Sequence, residues 1–125
     1  MSSLVLDSGA LIAFERSNRR VLALLARARV RGARLRIPAG VVGQVWRDGR
    51  KQVRLARLLS SSTVHVEPLD DETARAAGQL CGVRQTADVI DASVVLCAWK
   101  YHHPVVTGDV ADMRHLDPSL QVIGV

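Results

Sequence analysis

Two aspartates of the sequence come just after short runs that are typical of buried strands. Asp7 comes after Leu4–Leu6, and Asp109 comes after Val105–Thr107 with one glycine between. In an open α/β sheet, ligands bind at the edge where the parallel strands have their carboxyl ends. We therefore expect both carboxylates at one sheet edge, and Asp7 is also a candidate N-cap for the helix predicted after it.

Two further aspartates stand at the start of a long predicted helix. Asp88 and Asp91 are three residues apart and therefore share one helical face. Asp88 is equally well explained as an N-terminal acid that favours the helix dipole. Asp91 lies between two apolar residues, where a merely solvated role is less natural. Asp112 follows Asp109 by three positions and is either a solvated turn residue or a further acid of this group.

Carboxylates that meet at one sheet edge repel one another unless a cation neutralises them. Mg²⁺ and Mn²⁺ take oxygen ligands of this type. Such an ion lowers the pKa of a bound water and balances charge on a phosphodiester, so the pattern predicts metal-assisted phosphodiester hydrolysis. The sequence places no histidine as a general base, so a metal-bound water is the expected nucleophile. Structural zinc is not predicted, because the histidines and cysteines lack zinc-ligand spacing.

Short apolar strands alternate with helices along the 125 residues and must position these acids. The strands are predicted at Leu4–Leu6, Leu35–Ile37, Val64–Val66, Val105–Thr107 and Leu120–Ile123. The helices are predicted at Gly9–Arg16, Arg19–Val30, Ala39–Trp46, Arg50–Leu59, Asp70–Leu80, Asp88–Tyr101 and Val110–His115. The alternation predicts a single α/β domain over residues 1–125, with three α/β/α layers and a mainly parallel central sheet.

Charge is divided unevenly along the chain. Residues 1–65 contain 13 Arg and Lys against 3 acids, whereas residues 66–125 contain 4 against 9. This asymmetry indicates a polyanionic partner for the basic half. The predicted helix pair around residue 50 carries a basic stripe for RNA phosphates, made of Arg47, Arg50, Lys51, Arg54 and Arg57. A solvated surface, or arginine stems that cover apolar surface at a dimer interface, are the alternatives.

Four classes of protein are not expected from the sequence. No run of about 18 apolar residues exists, so no transmembrane helix and no membrane association are predicted. The first residues lack the basic segment of a secretory signal, so a cytoplasmic protein is expected. A DNA-binding regulator is disfavoured because no short helix–turn–helix pair stands out. A phosphotransfer domain is disfavoured because no lysine lies near the last strands.

Four segments of the chain together resemble PIN-domain ribonucleases, in particular the VapC-type toxins of VapBC toxin–antitoxin pairs. The segments are Leu4–Ala13, Ile37–Trp46, Asp91–Ala98 and Val105–Asp109. Their order and spacing span nearly the whole chain. The resemblance implies a PIN-like fold, Mg²⁺- or Mn²⁺-dependent endoribonuclease activity, a homodimer, and inhibition by a small cognate antitoxin.

The resemblance also implies roles for individual residues. The acids of the family map onto Asp7, Asp91 and Asp109, with Thr107 as the polar residue before the last acid. Asp88 and Asp112 are then additional ligands. Gln44 stands where the family has a glutamate, and it keeps an oxygen while it removes one negative charge. Thr107 and Gln44 would orient a ligand or a water.

Two departures from the family pattern are open to more than one interpretation. Gly9 stands where the family often has a hydroxyl residue. Asp48, predicted on the same helical face as Gln44, either compensates for the missing charge or is a solvated residue that pairs with Lys51 or Gln52. The alternative to an active toxin is therefore a catalytically weak or inactive PIN-like module that binds RNA or an antitoxin without cutting.

Overall fold

The computed structural model describes residues 3–125, which form a five-stranded sheet between two groups of helices. The strands are β1 (Leu4–Leu6), β2 (Leu35–Pro38), β3 (Val64–Glu67), β4 (Val105–Thr107) and β5 (Val122–Gly124). They lie in the order β3-β2-β1-β4-β5, and every neighbouring pair is parallel. The strand order reverses between β1 and β4, and such a switch point opens a crevice at the carboxyl ends of the two strands.

Seven helices connect the strands. They are α1 (Ser8–Glu15), α2 (Arg19–Val30), α3 (Ala39–Val45), α4 (Val53–Leu59), α5 (Asp71–Arg84), α6 (Val89–Tyr101) and α7 (Val110–Leu116). Helix α1 contacts α2, α3 and α4, whereas α5, α6 and α7 contact one another. The two groups cover opposite faces of the sheet, so the prediction of a three-layer α/β/α fold with a parallel sheet is confirmed. Within residues 3–125, no helix has the length and apolar content to cross a membrane.

The central strands and α6 form the core that holds the switch point in place. All residues of β1 and β4 are buried, as expected for parallel strands covered on both faces. Helix α6 buries Ala92–Val95, Cys97 and Ala98, because it lies between the sheet and the helices α5 and α7. The acids at the ends of β1, β4 and the start of α6 are therefore attached to the most tightly packed elements.

The predicted helix start at Arg50 is wrong, because α4 begins at Val53. The side chain of Gln52 accounts for the difference. Its Oε1 accepts hydrogen bonds from the backbone N–H groups of Arg47 at 2.7 Å and Asp48 at 2.9 Å. Its Nε2 donates to the carbonyl of Val45 at 2.8 Å. These bonds satisfy the loop backbone without a helix.

The five residues of the predicted basic stripe are therefore divided between a loop and a helix. Arg47, Arg50 and Lys51 lie on the loop between α3 and α4, and only Arg54 and Arg57 lie on α4.

Two other element boundaries in the structure differ from the predicted ones by more than one residue. Helix α5 continues past Leu80 and ends at Arg84, where Gln85 takes a left-handed conformation with φ of 56°. The last strand starts at Val122 rather than at Leu120, because the N–H of Leu120 donates to the carbonyl of Asp117 in a turn. Gly32 follows the end of α2 and has a positive φ of 67°, as is common for a glycine after a helix.

Candidate active site

Asp7 is the most deeply placed acid of the sheet edge, with 4% of its surface exposed. It follows β1 and caps α1, and its Oδ1 accepts the N–H of Ala10 at 2.9 Å and that of Gly108 at 3.3 Å. Its Oδ2 accepts the hydroxyl of Thr107 at 2.5 Å. Burial raises the pKa of Asp7 above its usual value, and these hydrogen bonds hold it down in part. The carboxyl group is thus fixed in one orientation.

Thr107 and Asp109 continue this network on the neighbouring strand. Thr107 is fully buried at the end of β4, and its hydroxyl oxygen accepts the N–H of Asp109 at 2.9 Å while it donates to Asp7. Asp109 caps α7, where its Oδ1 accepts the N–H of Asp112 at 3.0 Å. The negative charge of Asp109 raises the pKa of Asp112, with some contribution from burial. The ends of β1 and β4 are therefore joined through side chains.

Helix α6 brings two more acids to this edge. Asp88 is the N-cap of α6 and accepts the N–H of Asp91 at 2.9 Å, as the helix-terminus interpretation predicts. Asp91 is half-buried, and its pKa is raised to about 7 by burial and then by the negative charges of Asp88, Asp7 and Asp112. Acids from three elements far apart in sequence therefore repel one another at this point.

Three of the aspartates at this edge are also the N-caps of helices. Asp7, Asp88 and Asp109 cap α1, α6 and α7, so three helix N-termini converge on the acids. The partial positive charge of a helix N-terminus stabilises a nearby carboxylate. For Asp88 and Asp109, the capping bond engages one carboxylate oxygen, Oδ1. The capping role and a ligand role are therefore compatible in the same side chain.

Gln44 lies on α3, a helix that contacts α6 close to Asp91. Gly40 of α3 packs directly on the side chain of Ile90, the residue before Asp91. Gln44 lies one turn further along α3 on the same face and is exposed. The described residues include no hydrogen bond to its side chain. Helix α3 thus packs near the start of α6 through Gly40, and no hydrogen bond among residues 3–125 joins Gln44 to the acids.

Asp48 does not share a helical face with Gln44, so that prediction is wrong. Helix α3 ends at Val45, and Asp48 lies in the following loop. Its Oδ1 accepts the N–H of Arg50 at 3.0 Å, and its own N–H donates to Gln52. Asp48 is a turn-forming residue, and the missing charge at Gln44 is not supplied from this position.

The site fits a hard divalent cation by the chemistry of its donors. Its donors are carboxylate and hydroxyl oxygens, the ligands that Mg²⁺ and Mn²⁺ take. The pKa of Asp91 is raised first by burial and then by neighbouring negative charges, which a cation would neutralise. Within residues 3–125, however, no three His, Cys, Asp or Glu side chains stand together as a ready ligand set. Asp88, Asp109 and Asp112 are exposed, so their side chains have room to rotate.

The two arginines of α4 line a groove that the sequence did not reveal. The groove lies between α2 and α4, has a volume of about 620 Å³ and includes Leu22, Leu25, Leu35, Leu58, Arg29, Arg54 and Arg57 among its walls. Arg54 donates to the hydroxyl of Ser17 at 2.6 Å and lies 5.0 Å from the centre of the Phe14 ring. Arg29 lies 25 residues before Arg54, so no local pattern could have placed them together.

Solved structures share this fold over nearly the full chain. The FitAcB structure from Neisseria gonorrhoeae covers 97% of the chain and 96% of its own, with a TM-score of 0.68 and 19% identity. A toxin–antitoxin complex from Klebsiella pneumoniae covers 97% and 96%, with a TM-score of 0.72 and 16% identity. VapBC2 from Rickettsia felis, bound to a DNA fragment from their promoter, covers 98% of each chain, with a TM-score of 0.71 and 10% identity.

Sequence comparison adds nothing to this structural likeness. No family model matches the chain, and no curated protein matches it. The structural matches are 19% identical or less, so they establish the fold and leave the chemistry to be argued from the site. The resemblance to the toxins of toxin–antitoxin pairs is confirmed at the level of the fold.

Proposed function

We propose that this protein is a Mg²⁺- or Mn²⁺-dependent endoribonuclease that acts as the toxin of a type II toxin–antitoxin pair. The observation that supports it most directly is the meeting of acids from β1, α6 and α7 at the switch point of the sheet. There the pKa of Asp91 is raised to about 7. The fold shared with chains of toxin–antitoxin complexes supports the biological role.

The proposed roles follow from how each side chain is held. Asp7, Asp91 and Asp109 would hold the cation, and Asp88 and Asp112 would extend the ligand set. A bound divalent cation supplies a more acidic water and charge balance on the scissile phosphate. Thr107 holds the carboxyl of Asp7 in place through its hydroxyl. Gln44, on α3, would orient the phosphate or a water.

RNA would be attracted by the arginines and lysine of the basic half. Arg47, Arg50 and Lys51 are exposed on the loop after α3, the helix that carries Gln44. Phosphate contacts of this kind are non-specific and strongly salt-dependent. Arg54 and Arg57 remain candidates for RNA binding, although they also line the groove described above.

The groove between α2 and α4 suits an antitoxin segment that is both apolar and acidic. Its lining includes four leucines, three arginines and no acid among the described residues. An amphipathic segment with acidic residues beside its apolar face would match this surface in both respects. We include such an antitoxin, and a homodimer of the chain, in the proposed function.

RNA cleavage by the purified protein tests the enzymatic proposal. Structured RNA is incubated with Mg²⁺ or Mn²⁺ and with wild type, Asp7→Asn or Asp71→Asn. Asp71 is exposed on α5 and pairs only with Arg75 on the surface, so its variant is a matched control. We expect cleavage by wild type and Asp71→Asn and none by Asp7→Asn. Equal products from all three proteins would refute the proposal.

A binding module without catalysis is the second candidate function. It is favoured by Gln44, which is uncharged and exposed, and by the lack of a ready ligand set among residues 3–125. RNA that is retained by the protein but stays intact with either cation would support this alternative. Cleavage abolished by Asp7→Asn would exclude it.

A further inference from the structure

A backbone contact between Gly9 and Gly108 lies within the candidate active site. A Cβ atom on Gly9 would be 2.7 Å from the Cα of Gly108 and 2.8 Å from its nitrogen. A Cβ atom on Gly108 would be 2.9 Å from the Cα of Gly9. Neither glycine has a positive φ, in contrast to Gly32, so the backbone conformation alone does not require them. The two main chains touch because neither residue has a side chain.

The contact joins the two segments that present Asp7 and Asp109. Gly9 is in the first turn of α1, which Asp7 caps, and Gly108 stands between Thr107 and Asp109. The N–H of Gly108 reaches Asp7 at 3.3 Å, a longer bond than the 2.9 Å bond from Ala10. Any side chain at position 9 or 108 would push the start of α1 away from the loop after β4 and break this longer bond first.

We propose that Gly9 and Gly108 are positioning residues whose backbone contact sets the separation of Asp7 and Asp109 for a divalent cation. The inference rests on the proposed function. It also gives Gly9 a role, although this residue stands where a hydroxyl residue is common in the family that the sequence resembles. In this chain the position is filled by the main chain of Gly108, so a hydroxyl side chain has no room there.

Serine at position 9 distinguishes positioning from the loss of a ligand. If Gly9 were only a missing ligand, Gly9→Ser would restore an oxygen and tighten cation binding. If the contact positions the acids, Gly9→Ser and Gly9→Ala both weaken binding, because the Cβ atom alone causes the collision. Gly108→Ala makes the same collision from the opposite side and is a second, independent variant.

Mn²⁺ binding to the full chain, measured by calorimetry without RNA, is the main experiment. We expect Gly9→Ala, Gly9→Ser and Gly108→Ala each to weaken Mn²⁺ binding by at least about tenfold, the scale seen when supporting residues of metal sites are changed. Gly78→Ala and Gly78→Ser are the matched controls, since Gly78 is exposed on α5 with nothing within 4 Å of its Cβ position. The control variants should bind Mn²⁺ as wild type does.

Amide hydrogen exchange without metal separates a local effect of the substitution from general destabilisation, which would lower the protection of many amides together. In Gly9→Ala, the amide of Gly108 should lose protection while that of Ala10, which bonds the same oxygen of Asp7, keeps it.

Tighter Mn²⁺ binding by Gly9→Ser, or unchanged binding by a folded Gly9→Ala, would overturn the inference. If no variant folds, the contact serves the fold as a whole and the positioning role is refuted. Wild type that fails to bind Mn²⁺ refutes the proposed function itself.

Discussion

The ionisation of Asp91 is opposed in the folded protein, and its replacement by asparagine tests the electrostatics of the site. The substitution Asp91→Asn keeps the size of the side chain. It also keeps the capping bond to Asp88, because the donor is the backbone N–H of residue 91. We expect Asp91→Asn to raise the free energy of unfolding at pH 8 when divalent cations are removed with a chelator.

The size of the effect follows from the pKa of Asp91. Burial and the charges of Asp88, Asp7 and Asp112 raise it from 3.8 to about 7. At about 1.4 kcal/mol per pKa unit, the cost of ionising Asp91 in the folded state is at most about 4 kcal/mol. Screening by water at a half-buried group reduces this to about 2 kcal/mol.

The sign of the change in unfolding free energy depends on whether the folded or the unfolded state holds the Asp91 proton. The unfolded chain releases the Asp91 proton near pH 3.8, whereas the folded protein keeps it up to about pH 7. The folded state binds more protons in this interval, so wild-type stability falls as the pH rises through it and stays lower above it. Asp91→Asn does not titrate. The variant should therefore gain about 2 kcal/mol over wild type between pH 3.5 and pH 8.

Urea denaturation at these two pH values measures the gain. Asp48→Asn is the control, because Asp48 is exposed in the loop after α3. Comparing each variant with wild type at each pH cancels the titration of the acids that do not interact with residue 91. An Asp91→Asn protein that gains no stability over wild type at pH 8, or gains the same amount at both pH values, would refute the proposed clustering of charge. Mg²⁺ at pH 8 should then stabilise wild type more than Asp91→Asn.

Three further substitutions test other parts of the structure. Thr107→Val should cost about 3 kcal/mol in urea unfolding, because it removes buried partners of Asp7 and of the Asp109 N–H, whereas Thr107→Ser should be near wild type. Gln44→Glu should tighten Mn²⁺ binding about tenfold in calorimetry, since ligand charge tunes affinity, and unchanged binding would place Gln44 outside the site. Gln52→Ala should cost about 2 kcal/mol by leaving loop N–H groups unpaired, and an unchanged urea midpoint would contradict the role assigned to this side chain.

Elements with a strong local signal were predicted within one or two residues. The runs at β1 and β4 consist of apolar residues, apart from Thr107 at the end of β4, because both faces of these strands are covered, and such runs are recognisable without a partner. The aspartates that follow them were placed at the sheet edge for the same reason. The loop between α3 and α4 extends three residues further than the sequence predicts, because the side chain of Gln52 bonds the loop backbone across the turn rather than along a helix.

The sequence by itself determined the layered parallel fold and predicted Asp7, Asp91 and Asp109 at one edge of the sheet, because both inferences depend on hydrophobic periodicity and on the order of strands and helices. Only the tertiary structure decided how these acids are held. The bond from Thr107 to Asp7, the contact of Gly9 with Gly108 and the repulsion between Asp7 and Asp91 join residues about 80 to 100 positions apart. Such distances depend on how strands and helices pack, and packing has no local signature in a sequence.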